Sequence, residues 1–172
     1  MATSLLNYRL RSETTAVVLH AAHTRPSQSN LREFLAVGGR ERGLLDVGYH
    51  YLILQSGLVV DCRPHTVQGT HMRSKRNRDT VAVCLAGGRV DCCPLCRGDC
   101  ASANPPVYDC QRDAPEDNFT PDQWHSLTLL MHTLRKHYGP LPLVGHSEID
   151  TKHHGSCPPV NMMEVRARCL TP

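Results

Sequence analysis

The stretch Val144-Gly145-His146-Ser147-Glu148, followed after a short loop by Ser156-Cys157-Pro158-Pro159, sets a histidine behind an apolar run and a cysteine eleven residues later. Imidazole nitrogen and thiolate sulfur are both good zinc ligands, and a loop this short can bring them to one ion. A third ligand has to come from elsewhere, and His20, closing the run Thr15-Ala16-Val17-Val18-Leu19, is the natural candidate. Two histidines and one cysteine leave one corner of a tetrahedron open, which separates a catalytic zinc from a structural one. Eleven histidines and nine cysteines also generate such pairs by chance, and a histidine at a strand end is often a satisfied core residue, so the rest of the chain has to carry the reading.

The length of 172 residues suits one domain with a real core. A composition of 40% hydrophobic and 20% charged residues is that of a soluble globular protein, and a formal charge of +3 is too small to argue for direct nucleic-acid binding. The start, Met1-Ala2-Thr3-Ser4-Leu5-Leu6-Asn7-Tyr8-Arg9, lacks the uninterrupted apolar region of a secretory signal, and no apolar run approaches membrane-spanning length. The expectation is therefore a monomeric protein held in a cytoplasm, with no membrane partner. Nine cysteines is the abnormal figure: five of them (Cys92, Cys93, Cys96, Cys100 and Cys110) crowd into nineteen residues. In a chain without an export signal, close cysteines read as metal ligands before disulfides.

Taken in order, residues 1–13 are a polar arm and residues 14–172 the domain proper. Residues 15–20 read as a buried strand ending on His20, and Asn30 with Glu33 as a helix start. Val47 to Leu54 reads as a strand joined through Gln55-Ser56-Gly57 to a hairpin partner, Leu58 to Cys62. Period 2 then sets Tyr49 and Tyr51 on one face and His50 on the other. Residues 66–79 are a polar loop holding His71 and the basic run Arg73, Lys75, Arg76, Arg78, and Thr80 to Leu85 is another buried strand. Thr120-Pro121-Asp122-Gln123 combines an N-cap, a first-position proline and a Gln three residues after the cap. Trp124, Leu127, Leu130, Met131, Leu134 and Tyr138 keep helical spacing until Gly139-Pro140. Leu141 to His146 is a strand, and a last helix runs from Asn161 to Cys169. Cys62, Cys84 and Cys169 fall in apolar patterns and read as core, while His125, His132 and His137 fall on the solvent side of the long helix. The fold class is α/β: a single domain with a central mixed β-sheet flanked by helices, carrying a cysteine-rich inserted loop at 89–117.

Several of these pieces, in this order, resemble the zinc N-acetylmuramoyl-L-alanine amidases, a superfamily of phage lysozymes of amidase type and peptidoglycan recognition proteins. They are Val18-Leu19-His20-Ala21-Ala22 with Pro26-Ser27-Gln28, and Leu45-Asp46-Val47-Gly48-Tyr49-His50-Tyr51. Gly69-Thr70-His71, Val83 to Gly88, Asn118-Phe119-Thr120-Pro121, Gly145-His146-Ser147-Glu148 and Cys157-Pro158 complete the set. The resemblance implies a fold with a central sheet and His20, His146 and Cys157 as ligands of a catalytic Zn2+. It makes Tyr49 the active-site tyrosine, a hydrogen-bond donor or orienter. Lys152 matches the family lysine by its six-residue distance from His146, but the loop carries extra residues before Cys157, so His153 and His154 compete for that role. His71 is either a substrate-binding residue lining the groove or a surface histidine, and the basic run 73–78 either a solvated loop or a contact for stem-peptide carboxylates.

The implied reaction is zinc-dependent hydrolysis of the amide between N-acetylmuramic acid and L-alanine in bacterial peptidoglycan, as a phage endolysin waiting in the host bacterial cytoplasm until the membrane is breached. Two alternatives belong to other classes: a non-catalytic peptidoglycan-binding module, disfavoured by the presence of Cys157, and a regulatory protein that binds phage RNA polymerase, as some relatives do. The insert has its own reading. Cys93, Cys96, Cys100 and Cys110 make a four-thiolate set for a second, structural zinc, because a segment with so few apolar residues needs something other than a core to order it. Disulfides formed after release, or a loop without order, are the competing readings.

Overall fold

The β-branched run after Thr15 forms strand β1 (Ala16–Ala21), and all six of its residues are buried. The computed structural model of the protein describes residues 8–25, 31–32, 34, 46–89, 116–150 and 156–170. With β2 (Tyr51–Ile53), β3 (Val59–Asp61), β4 (Thr80–Leu85) and β5 (Leu143–Gly145), β1 builds a five-stranded sheet in the order β3-β2-β4-β1-β5. β1 runs parallel to both β4 and β5, β2 runs parallel to β4, and among the described strand pairs the β2–β3 hairpin is the antiparallel one. Helices α1 (Pro121–Tyr138), α2 (His146–Ile149) and α3 (Met162–Leu170) pack with this sheet or lie at its edge. This is the mixed-sheet α/β domain expected from the sequence.

Side-chain alternation sorts the sheet into two faces. Val17 and Leu19 of β1, with Val81, Val83 and Leu85 of β4, pack against Trp124, Leu127, Met131 and Leu134 of α1 and Met162, Val165 and Cys169 of α3. The opposite face carries a smaller cluster, in which Leu52, Ala82 and Cys84 meet Phe34, Val47 and Tyr49. His20 is two residues from Val18 and so belongs to this second face, away from the helical core.

The start of α1 locks that helix to the sheet. Thr120 Oγ1 accepts from the Gln123 N–H at 3.2 Å, and Gln123 Oε1 accepts from the Thr120 N–H at 3.1 Å. Gln123 is fully buried, and its Nε2 donates to the carbonyls of Ile53 and Ala86, both at 2.9 Å. A residue chosen for capping therefore also satisfies two buried acceptors at the ends of β2 and β4. Gln123→Ala takes a donor from both, the Ile53 carbonyl keeping the Ala86 N–H at 2.9 Å, and is expected to lower stability by about 1–3 kcal/mol, against about 1 kcal/mol for Thr120→Ala. Urea unfolding of both variants checks the ranking.

Three expectations need correction. The strand anticipated over Val47 to Leu54 is confined to Tyr51–Ile53, because Gly48 has φ +77° and breaks the extended path. Tyr49 and Tyr51 face opposite ways because the backbone bends at His50, between them: Tyr49 joins the smaller cluster and Tyr51 the helical core. The polar loop 66–79 contains a 3₁₀ turn, Lys75–Arg78, capped by Ser74 Oγ. His146 opens a helical turn instead of ending a strand. Other expectations hold: His125, His132 and His137 are exposed, Cys84 and Cys169 are buried, and Cys62 is half-buried. Part of the N-terminal arm is docked, with Leu10 bridged to Val67 and the Arg11 guanidinium donating to the Thr80 carbonyl at 2.7 Å. Residues 31, 32 and 34 are helical, while Cys92, Cys93, Cys96, Cys100, Cys110, Lys152, His153 and His154 lie outside the described residues.

Candidate metal centre and active site

Sheet register brings the two key histidines together. Leu19 of β1 pairs with Gly145 of parallel β5, so His20 and His146, each next along its chain, emerge side by side at the carboxyl ends of the strands. That edge is where open α/β sheets hold ligands. Their ring centroids are 4.5 Å apart. Cys157 returns to the same place because its carbonyl accepts from the Ser147 N–H at 3.0 Å and the Ser147 hydroxyl at 3.2 Å, which fastens the cysteine to the first turn of α2. One ligand atom from each of His20, His146 and Cys157 lies within 4.8 Å of the other two, and all three residues are buried. Two imidazoles and one thiol converging on one point are a donor set that fits zinc.

The remaining site residues fall around this trio. Tyr49 follows the Gly48 turn, and its ring centroid is 5.2 Å from that of His20. His71, read from sequence as a groove-lining or surface residue, is buried behind His20, with Nδ1 at 2.9 Å from His20 Nε2. Its own Nε2 lies 3.3 Å from Thr80 Oγ1. Burial, with His50 and His146 nearby, holds His71 well below the ordinary imidazole range. His50 is neutral: burial pushes it down to about 4. Its Nδ1 accepts from the Ala82 N–H at 2.8 Å, which leaves Nε2–H to donate to the Val67 carbonyl at 3.0 Å. Gly69 passes so close to both rings that a Cβ there would stand 2.5 Å from His71 Cδ2 and 3.0 Å from His50 Cε1.

Asp150 is a site residue that the sequence reading missed. It is 3% exposed, its Oδ2 lies 3.5 Å from His146 Nε2, and the same oxygen accepts from the Arg73 N–H at 3.2 Å. The carboxylate thus ties the turn that carries His146 to the segment that carries His71. A signal existed in the sequence, since an aspartate four residues after a histidine faces it whenever the intervening turn is helical.

Comparison with known proteins agrees with this architecture. Residues 10–159 match the family described as N-acetylmuramoyl-L-alanine amidase. The chain is 31% identical over 154 residues to the endolysin of Escherichia phage T7, covering 89% of this chain and 85% of that protein. Among solved structures, the amidase LysC from Clostridium intestinale superposes with a TM-score of 0.66 at 18% identity, covering 97% of this chain and 96% of that one. Drosophila PGRP-LB gives 0.61 at 17% identity, covering 88% and 79%, so the fold extends to peptidoglycan recognition proteins. The chain belongs to the N-acetylmuramoyl-L-alanine amidase family. It is an amidase of peptidoglycan, of the endolysin kind that phages use in lysis.

Proposed function

We propose that this amidase works with one zinc ion held by His20, His146 and Cys157, and that Tyr49 and Lys152 assist it. The observation that carries the reading is the convergence of three buried ligand atoms within 4.8 Å at the carboxyl edge of the sheet. Zinc bound there supplies a Lewis acid that polarises the amide carbonyl and brings the pKa of water toward ~7. The protein's own groups do the rest. Two neutral imidazoles and one thiolate neutralise only part of the ion's charge and keep it electrophilic. Tyr49, beside His20, supplies a hydroxyl donor for the oxygen on which negative charge develops during attack. Lys152, from its place in the sequence six residues after His146, supplies a cation for the same charge or a proton for the departing L-alanine amine. The enzyme reaches its substrate from the host cytoplasm once the membrane is breached.

Stripping the metal with a chelator and restoring zinc tests the reading, with release of L-alanine amino termini from purified peptidoglycan as the readout. Activity should vanish with chelation and return with stoichiometric zinc. Full activity in protein shown to be metal-free would sink it.

A further inference from the structure

We propose that His71 is a positioning residue that, backed by Thr80, fixes His20 as the Nε2–H tautomer and makes Nδ1 its metal-donor nitrogen. The inference rests on the zinc reading above, and it follows from tracing one proton at a time. Thr80 Oγ1 lies 2.6 Å from the Arg76 carbonyl oxygen, which can only accept, so the hydroxyl proton points there. Toward His71 Nε2, at 3.3 Å, the same oxygen therefore offers a lone pair, and that nitrogen carries the ring's proton. A neutral ring protonated at Nε2 has a bare Nδ1, which accepts at 2.9 Å from His20. His20 must then hold its proton on Nε2, and Nδ1 is the nitrogen whose lone pair can bind a cation.

Every member of this chain is withdrawn from water: His20 is 1%, His71 7% and Thr80 0% exposed. Solvent therefore offers no competing partner that would let the rings exchange tautomers freely. The chain ends on backbone, at the carbonyl of Arg76 in the 3₁₀ turn, so its direction is set by main-chain geometry and not by a movable side chain. Gly69 leaves the room that the His71 ring occupies. A ligand histidine held in this way loses no tautomer or rotamer freedom when metal arrives, and such outer partners are worth about 10–100-fold in metal affinity.

Two measurements on the full-length protein test it. Long-range 15N–1H correlation spectra of metal-free wild type should show His20 protonated at Nε2 and bare at Nδ1; the opposite tautomer overturns the proposal. Zinc affinity by competition with a chromophoric chelator should fall about 10–100-fold in His71→Leu. His71→Asn, whose Oδ1 takes the place of Nδ1 as acceptor, should recover most of that loss. Unchanged affinity in the leucine variant overturns the proposal, and so does an asparagine variant that falls as far as leucine, because the effect would then be packing alone. Thermal melts of the metal-free proteins identify any variant that loses its fold, and the wild-type tautomer decides the matter without variants. A wild type that binds no zinc would defeat the zinc reading while the tautomer remained measurable, so the two failures are distinguishable.

Discussion

Cys157→Ala is expected to lower turnover on peptidoglycan by at least ~10³-fold, because the proposed zinc would take several kcal/mol off the barrier as a Lewis acid and each ~1.4 kcal/mol is tenfold in rate. The variant removes the one sulfur donor of a set whose other members, His20 and His146, are fixed by the sheet register and stay in place. Two imidazoles alone hold zinc weakly in competition with water, so the metal content of the purified protein should drop by one ion per chain. If Cys93, Cys96, Cys100 and Cys110 hold a second zinc, as their spacing suggests, wild type carries two ions and the variant keeps one. Cys62→Ala is the matched control: Cys62 is half-buried against the smaller cluster and should leave both activity and the catalytic ion intact. Metal analysis beside the amine-release assay decides it. A variant with wild-type turnover would remove Cys157 from the chemistry.

How far the site could be read in advance depended on the range of the interactions that build it. His20, His146 and Cys157 were legible because each closes a local pattern: an apolar run before each histidine, a proline-rich turn after the cysteine. Helix α1 was legible to the residue, since the Thr120–Gln123 cap and the Gly139 stop are local signals. Tyr49 was legible by resemblance, but its orientation was not. Strand periodicity put it on the face of Tyr51, and a bend at His50, between the two tyrosines, overrode the period. His71 and Thr80 meet nine residues apart, and His71 meets His20 across fifty-one. No local pattern encodes such a contact; parallel pairing of β1 with β4, which sets Ala16 beside Thr80, creates it. Gln123 shows the same limit in another form, because its capping role was local and its bonds to Ile53 and Ala86 were not.

The second large effect lies beneath the site. Asp46→Ala is expected to cost about 3–5 kcal/mol, the usual penalty for removing one partner of a buried ion pair, and to lower the melting temperature by roughly 10 °C or more. The Asp46 and Arg63 side chains are 11% and 9% exposed, and they meet through two parallel bonds, Nε to Oδ2 at 2.7 Å and a terminal nitrogen to Oδ1 at 2.9 Å. Burial alone would raise the Asp46 pKa, but the bonds from Arg63, the Tyr8 hydroxyl and the Gly48 N–H outweigh it and hold the carboxyl below the usual carboxylate range. The stabilisation therefore exists above the unfolded-state pKa near ~4 and is lost as pH falls through the lower folded value. Arg63 also donates to the Gln68 carbonyl at 2.9 Å and Thr70 Oγ1 at 2.8 Å, while the Thr70 N–H reaches the Gly48 carbonyl at 2.9 Å. One guanidinium thus joins the turn that presents Tyr49 to the segment that presents His71. Replacing both partners, Asp46→Leu with Arg63→Met, removes the uncompensated charge and should recover most of the stability. It should not recover turnover, because apolar side chains cannot hold the Gln68 and Thr70 groups in register. Denaturant unfolding and amine release on the single and double variants separate the two effects. A single variant within about 1 kcal/mol of wild type would reduce the pair to an ordinary surface contact, and a fully active double variant would show that the two segments keep their places without it.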